Sequence, residues 1–385
     1  MSYYKDKVTQ ARQQKKTRRR RSKGRTLAIV LASLAGLLVL IAAGVFGFLR
    51  YTNSLRAGMF NARTSSQMQK VLWQRDAADQ TTAEILDEKT NEKADEERAD
   101  WVDEDGSAYR YRTDVQTLLV MGIDYMNDPN YWDGDMVSNG GNADILALVI
   151  LDSGKGRLSV LYIPRDTMVN MLQLDEKGNY LDTVFNNISA SHSYGDGGEL
   201  SCELTADAVS NLLYGVPVTR FAAMDYDSIP VINQVLGGLE ITFPEDYSFL
   251  DYNFLEGATV KLSDYQLQRL IRYRDHSQLD SATQRGLRDL KLVVRAMAMQ
   301  AKGILKKDPA AAMTMYNQLK PYMTSNLTVD EISYLAQQLV SVDLSGETII
   351  QMPGVATKGE RYAEFYPDEE WLHDFVIETF CEKVG

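Results

Sequence analysis

Residues 117–123 read Thr-Leu-Leu-Val-Met-Gly-Ile and lead directly into Asp124. A run of seven uncharged residues, rich in large apolar side chains, predicts a strand that is buried on both faces. Comparable runs follow at 145–151, 158–163 and 239–243. They too predict buried strands, so we expect a sheet that is covered by other elements.

Helical patterns alternate with these strands. Apolar residues recur at intervals of three and four, the helical period, over 204–214, 225–236, 264–271, 281–307, 310–323, 329–339 and 368–380. Residues 347–352 predict one further strand. This alternation predicts an α/β layered domain with helices on both faces of the sheet.

The charge of the chain is divided unevenly. Residues 1–25 hold eleven of the 41 basic residues and one of the 53 acidic residues. The first 25 residues therefore carry a net charge near +10, and the remainder carries one near −22. A nucleic-acid patch at 18–21 is the alternative interpretation of the basic block, but no DNA-binding motif accompanies it, and we predict no nucleic-acid partner.

An apolar segment follows the basic tail. Residues 27–49 contain one serine and no charge, and as a helix they would span roughly 34 Å, enough to cross a bilayer. A signal peptide is the alternative, although its apolar core is usually shorter. With the basic cluster on its N-terminal side, the segment predicts a single-pass cell-membrane protein with a cytoplasmic N-terminus and an extracytoplasmic body. The basic cluster is expected to meet the anionic head groups of membrane lipids.

Four regions are predicted. Residues 1–25 form the cytoplasmic tail, 26–50 the transmembrane helix, 51–112 a polar helical stalk or linker, and 113–385 the extracytoplasmic domain. A partner-binding helix is the alternative interpretation of the stalk.

The sequence lacks the patterns of several kinds of enzyme, which disfavours those functions. Cys202 and Cys381 are the only cysteines, so at most one disulfide is possible, and the sequence leaves that pairing open. The three histidines do not have zinc-ligand spacing with the cysteines. Motifs of serine hydrolases, P-loop NTPases and dinucleotide enzymes are absent as well.

Two carboxylates and several arginines mark a candidate site. Asp124 follows the first strand and Asp144 begins the second, and such strand ends are where α/β domains bind ligands. Mg²⁺ or another divalent cation binds to one or two carboxylates together with waters and phosphates. The alternative is that both residues form turns or caps.

Arginines are the predicted ligands of an anion. Arg165 follows the third strand in the sequence Pro-Arg-Asp-Thr, where its planar guanidinium can face phosphate oxygens. Arg272 and Arg274 flank a tyrosine and share a ligand only if that tripeptide is extended. Arg285 and Arg288 lie on one stripe of the next helix, where a solvated helix face is the alternative.

In this order, these residues resemble the LytR-CpsA-Psr family over about residues 117–296. The shared landmarks are 122–124, Asp144, 163–167, 190–195, Gly197, Gly198, 215–218, 235–239, 262–274 and 285–288. The C-terminal 352–354 and 366–380 are similar to the family's usual ending.

The resemblance implies an α-β-α sandwich with a mixed central sheet, preceded by one transmembrane helix. It also implies a phosphotransferase that moves a glycopolymer from a polyprenyl-pyrophosphate carrier to peptidoglycan. By position, Asp124 and Asp144 match the family's metal-side acids and Arg165 its catalytic arginine. The family's pyrophosphate-binding arginines match Arg165, Arg272 and Arg274. We predict that Arg285 and Arg288 bind the pyrophosphate as well.

The chain departs from the family pattern at three positions. Asn142 and Asn187 stand where the family has arginine and lysine, and Asp289 stands where it has glutamine. The loss of two cations and the gain of one carboxylate weaken an anion site. A non-catalytic protein that binds the lipid carrier or wall polymer, a pyrophosphatase on the same scaffold, and a regulator acting through the basic tail are the alternative functions.

Overall fold

The computed structural model describes residues 68, 70–72, 74–75, 101–102, 106–124, 140–175, 177–273, 279–344, 349–360 and 362–384. Of these, 101–102 and 279–289 are described by their backbone alone. The predicted tail and transmembrane segment lie outside these residues. Among the described helices, none combines the length and the apolar character needed to cross a bilayer.

Fifteen strands are present in the described residues. In chain order they are β1 Trp101–Val102, β2 Ala108–Tyr111, β3 Val115–Ile123, β4 Ala143–Asp152, β5 Arg157–Ile163, β6 Met168–Leu174, β7 Tyr180–Asn187, β8 Phe221–Asp225, β9 Glu240–Thr242, β10 Thr259–Lys261, β11 Met323–Ser325, β12 Ile349–Gln351, β13 Gly354–Lys358, β14 Ala363–Pro367 and β15 Cys381–Lys383.

Seven α-helices and two 3₁₀-helices lie in the described part of residues 106–384, and residues 68, 70–72 and 74–75 are helical as well. The α-helices are α1 Glu199–Leu212, α2 Ser228–Val235, α3 Asp264–Arg272, α4 Leu279–Lys307, α5 Ala311–Leu319, α6 Val329–Ser341 and α7 Glu369–Phe380. The 3₁₀-helices are Ile188–Tyr194 and Lys320–Tyr322.

A six-stranded sheet lies at the centre, in the order β11-β8-β3-β4-β5-β12. β3 pairs antiparallel with β4 and parallel with β8, and β5 pairs antiparallel with β4 and parallel with β12. The predicted mixed α/β sheet is therefore confirmed. The ends of β3, β5 and β8 and the start of β4 lie at one end of this sheet, which we call the Asp124 end.

Helices cover both faces of the sheet, because side chains alternate along each strand. Leu119 and Met121 are fully buried in a core shared with α1 and α7. On the opposite face, Ala147 and Val149 pack with Val294 of α4. Burial of each large apolar side chain stabilises the fold by about 1.5–3 kcal/mol, so both layers hold the sheet in place.

A second hydrophobic core supports α3. Phe243 and Phe254 are fully buried, with ring centres 4.3 Å apart, and Leu267 and Leu270 of α3 pack in the same cluster. The strand predicted at 239–243 is present as Glu240–Thr242, but among the described strands it pairs with β10 and lies outside the central sheet. This separate core fixes the position of α3 and of its last residue.

Two parts of the sheet region were predicted incorrectly. Residue 225 was expected to begin a helix, but β8 ends at Asp225 and α2 begins at Ser228. The Phe-Ala-Ala-Met-Asp run has little intrinsic strand preference, and its pairing with β3 and β11 overrides that preference. The β6–β7 hairpin was not predicted either.

Parts of the predicted linker contact the rest of the fold. Met68 and Val71 are buried against Leu172 and Leu204. Strand β2 pairs with β15, so residues 108–111 belong to a three-stranded sheet. Farther along the chain, Cys202 and Cys381 are buried free thiols.

Candidate functional site

Asp124 is held by the backbone at the start of β4. Its amide donates to the Asn142 carbonyl oxygen at 3.1 Å, and the Asn142 amide donates to Asp124 Oδ1 at 2.7 Å. β3 and β4 approach closely here, since a Cβ on Gly122 would lie 3.1 Å from Cβ of Ile145. The Gly-x-Asp pattern therefore has a steric cause.

A buried histidine supports the same backbone. His192 Nδ1 lies 2.7 Å from the Gly140 carbonyl oxygen and 3.3 Å from that of Gly141. Because both partners are acceptors, Nδ1 carries the proton. Burial lowers the pKa of His192, so the ring is neutral near pH 7. This contact fixes the chain that enters β4.

Asp144 connects three elements. Its Oδ1 accepts a hydrogen bond from Arg165 Nη1 at 2.5 Å, and its Oδ2 accepts one from the Tyr226 hydroxyl at 3.2 Å. Arg165 follows β5 and Tyr226 follows β8. The Asp124 end of the sheet therefore brings these side chains together.

The turn that carries Arg165 is closed by local hydrogen bonds. The buried Thr167 hydroxyl donates to the Pro164 carbonyl oxygen at 2.6 Å, and the Ser189 amide donates to the Arg165 carbonyl oxygen at 3.1 Å. The side chain itself is 46% exposed, so a ligand can reach its guanidinium.

Arg272 reaches the site from α3. That helix starts with a capping box, in which Ser263 accepts from the Gln266 amide and Gln266 bonds back to the Ser263 amide. It ends at Arg272, and the next residue, Tyr273, has an extended backbone with φ of −65° and ψ of 131°. The Arg272 guanidinium carbon lies 4.7 Å from the centre of the Tyr226 ring, within range of a cation–π contact.

The electrostatics of the site depend on carboxylates that lie next to guanidinium groups. Burial lowers the pKa of Arg165, but the charges of Asp144 and Asp166 outweigh that effect and raise the pKa above its ordinary value. Asp225, at the end of β8, has a pKa raised by burial. Arg165 thus stays cationic, and together with Arg272 it places two guanidinium groups at one sheet end.

The two carboxylates suit a cation that takes its remaining ligands from water and from a substrate. Within the described residues, no group of three or more His, Cys, Asp or Glu side chains lies close enough to hold a metal ion. Asp124 and Asp144 provide two carboxylates at the same sheet end, and Mg²⁺ accepts one or two together with waters and phosphates. The donor set therefore fits that ion.

The other arginines predicted from the sequence have no described side-chain position. Arg274 lies outside the described residues, and Arg285, Arg288 and the departure at Asp289 belong to the part of the chain described by backbone alone. The departure at Asn187 has a defined contact, because its amide nitrogen donates to the Ala363 carbonyl oxygen at 2.8 Å. It braces β14 against β7.

Tyr226 is the site residue that sequence reasoning missed. It follows β8 directly, as Asp124 follows β3. The same strand-end signal marks it, but the signal was hidden because β8 was not predicted. Its contacts with Asp144 and Arg272 make it part of the site.

These observations define a class: an α-β-α sandwich whose sheet end presents carboxylates and guanidinium groups to an anionic ligand. The LytR_cpsA_psr family model matches residues 74–375. Since that match covers most of the chain, the protein belongs to this family, and the resemblance noted from the sequence is confirmed.

Two curated relatives come from Bacillus subtilis (strain 168). The polyisoprenyl-teichoic acid–peptidoglycan teichoic acid transferase TagU is 27% identical over 238 residues, which are 62% of this chain and 59% of the relative. TagV, named as the same transferase type, is 29% identical over 134 residues, which are 34% of this chain and 28% of the relative. The chain thus matches less than two thirds of the length of either relative.

Solved structures agree on the fold. The crystal structure of B. subtilis TagV gives a TM-score of 0.52 at 20% identity, covering 69% of this chain and 96% of that chain. The structure of TagT bound to LI-WTA gives 0.51 at 19% identity, covering 69% and 89%. At such identities the likeness establishes the architecture alone.

Proposed function

We propose that this protein is a phosphotransferase that moves a glycopolymer from a polyprenyl-pyrophosphate carrier to peptidoglycan. The observation that carries the proposal is the contact between Asp144, Arg165, Tyr226 and Arg272 at the Asp124 end of the sheet. Two relatives named as teichoic acid–peptidoglycan transferases support it.

The reaction breaks one phosphoanhydride bond and forms one phosphodiester. An acceptor sugar hydroxyl attacks the phosphorus that carries the glycopolymer, polyprenyl phosphate leaves, and the hydroxyl proton passes to a carboxylate, Asp124 or Asp144. Arg165 and Arg272 bind the pyrophosphate and neutralise charge as it shifts to the leaving phosphate. Positioning and neutralisation suffice, so no covalent enzyme intermediate is needed.

A divalent cation belongs to the proposal. Mg²⁺ at Asp124 and Asp144 would stabilise negative charge on the pyrophosphate. Arg165 contacts Asp144 Oδ1 and therefore sets how much negative charge that carboxylate presents to a cation. Asn142 orients Asp124 through its backbone amide.

The proposed place of action is the outer face of the cell membrane, with residues 27–49 as the anchor. The uncharged segment and the basic tail before it support this orientation. A protease added to intact protoplasts is expected to digest residues beyond the anchor. Complete protection of those residues would contradict the orientation.

One observation favours a second candidate, a protein that binds the carrier without turnover. Asn187 bonds to Ala363 and carries no charge, and Asn142 contributes backbone contacts to Asp124. The site therefore lacks two cations that the family pattern places at these positions. A binder would release no polyprenyl phosphate.

Product analysis separates the candidates. Full-length protein would receive a polyprenyl-pyrophosphate glycopolymer with ³²P in the sugar-proximal phosphate, peptidoglycan, and Mg²⁺ or EDTA. A transferase moves the label to peptidoglycan only in Mg²⁺, and Asp144→Asn abolishes the transfer. Label released as free glycan phosphate without peptidoglycan indicates a pyrophosphatase, and label that stays on the carrier indicates a binder.

A further inference from the structure

Tyr226 contacts both kinds of charged group in the site. Its hydroxyl donates to Asp144 Oδ2 at 3.2 Å, and its ring lies against the Arg272 guanidinium, 4.7 Å from centroid to carbon. Asp144 is the second residue of β4, and Arg272 is the last residue of α3. One aromatic side chain therefore joins the carboxylate of the sheet to the arginine of the helix.

The hydroxyl restrains the carboxylate. Arg165 donates to one oxygen of Asp144 and Tyr226 to the other, so the two donors together set the rotation of the carboxylate plane. The terminal torsion of an aspartate is otherwise broad. Partners of this kind orient metal-ligating side chains in many proteins. Among the described residues, loss of the hydroxyl would leave Asp144 with the restraint from Arg165.

The ring restrains the arginine. Arg272 is exposed at the end of a helix, and a long exposed side chain samples many rotamers. A guanidinium stacked on an aromatic face retains its charge while its direction is limited. The ring is itself held in place, because Tyr226 packs against the second hydrophobic core and its carbonyl oxygen accepts from the Ile229 amide at 3.2 Å.

We propose that Tyr226 is a positioning residue with two separable effects: its hydroxyl orients Asp144 for a divalent cation, and its ring directs Arg272 towards pyrophosphate. The inference rests on the proposed function, which supplies the two ligands. It extends that function, since Tyr226 lies outside the sequence landmarks shared with the family. The two effects can be tested with two different substitutions.

The experiment uses full-length protein in detergent and two separate probes. Mn²⁺ binding is measured by electron paramagnetic resonance without lipid, and farnesyl pyrophosphate binding is measured by calorimetry without metal. Tyr226→Phe keeps the ring and removes the hydroxyl, and Tyr226→Leu removes both. Tyr111→Phe is the matched control, because it removes a hydroxyl that donates to the Tyr214 carbonyl oxygen at 2.7 Å and that belongs to β2, a strand of the separate three-stranded sheet.

Tyr226→Phe is expected to weaken Mn²⁺ binding about tenfold, as is usual for loss of a partner behind a metal ligand. Its farnesyl pyrophosphate affinity should equal that of the unmodified protein. Tyr226→Leu is expected to weaken both, the second by up to about fivefold, as for a cation–π contact at an exposed site. Thermal unfolding of each variant is measured alongside, and Tyr226→Met replaces the leucine variant if that one unfolds.

The controls distinguish two kinds of failure. If Asp144→Asn removes Mn²⁺ binding and Tyr226→Phe leaves it unchanged, the effect of the hydroxyl is refuted. If the phenylalanine and leucine variants bind farnesyl pyrophosphate equally well, the effect of the ring is refuted. If Asp144→Asn does not alter Mn²⁺ binding, or the unmodified protein binds no farnesyl pyrophosphate, the proposed function is refuted instead.

Discussion

Replacing Arg165 with alanine should change the affinities for anion and cation in opposite directions. Arg165 donates to Asp144 at 2.5 Å, and the side chains of the pair are 46% and 16% exposed. A charge-assisted hydrogen bond contributes about 1.5–3 kcal/mol, and solvent screening at this exposure favours the lower half of that range. The expected loss of pyrophosphate affinity is therefore roughly tenfold to fortyfold, at about 1.4 kcal/mol per factor of ten.

The same substitution should strengthen cation binding. Without the guanidinium, the Asp144 carboxylate loses a competing partner, so Mn²⁺ affinity should rise. Full-length Arg165→Ala would be titrated separately with farnesyl pyrophosphate and with Mn²⁺. Arg165→Lys should be intermediate for the anion, because it keeps the charge but loses the planar fork.

A matched control lies on the same strand. Arg157 is exposed and begins β5 at the opposite end of the sheet, so Arg157→Ala should leave both affinities unchanged. Parallel loss of both affinities in Arg165→Ala would show that the residue only maintains the fold. Unchanged pyrophosphate affinity would refute its placement in the anion site.

Three further predictions concern stability and activity. Glu331→Gln should lower the free energy of unfolding, measured with urea, by about 3–5 kcal/mol. The substitution removes the countercharge that Glu331 provides, at 2.7 Å, to the almost fully buried Arg220 guanidinium. A loss below about 1 kcal/mol would contradict this. Burial lowers the pKa of His192 in the folded protein below its unfolded value of about 6.5. The neutral ring therefore contributes its full stabilisation above about pH 6.5, and this contribution is lost as the pH falls below that value. Thermal unfolding between pH 7.5 and 5 should therefore shift more in the unmodified protein than in His192→Gln, and equal shifts would refute the assignment. Asn142→Arg combined with Asp289→Gln should raise transfer activity if these positions weaken a transferase, and a fall in activity would show that they do not.

The central strands were predictable because their signals are local. Residues 117–123 form a short apolar run without charge, and so do the two strands that follow it. Their length and composition predict a buried strand without reference to any partner. The structure extends β3 by two residues, from Val115 to Ile123. The predictions of most helices depended on apolar periodicity and were confirmed in the same way.

Strand β8 was not predictable because its stability comes from its neighbours. Phe221–Asp225 contains two alanines and a terminal aspartate, and it becomes a strand through parallel pairing with β3 and antiparallel pairing with β11. Tyr226 was missed for the same reason. Asp144 and Arg165 were predictable as individual strand-end residues, but their hydrogen bond depends on the order of β4 and β5 in the sheet.

The site assembles from widely separated parts of the chain. Asp124 and Arg272 are 148 positions apart, and β8 reaches its place beside β3 only after a crossover of almost a hundred residues. Contacts of such long range form late in folding, since each requires a large loop to close. Under the proposed function, a partly folded chain in which these parts have not yet met would therefore lack the assembled site for the charged carrier. Conversely, a carrier at 100 times its dissociation constant would add about 2.7 kcal/mol to the stability of the folded state, so the supply of substrate would influence how much folded protein the cell retains.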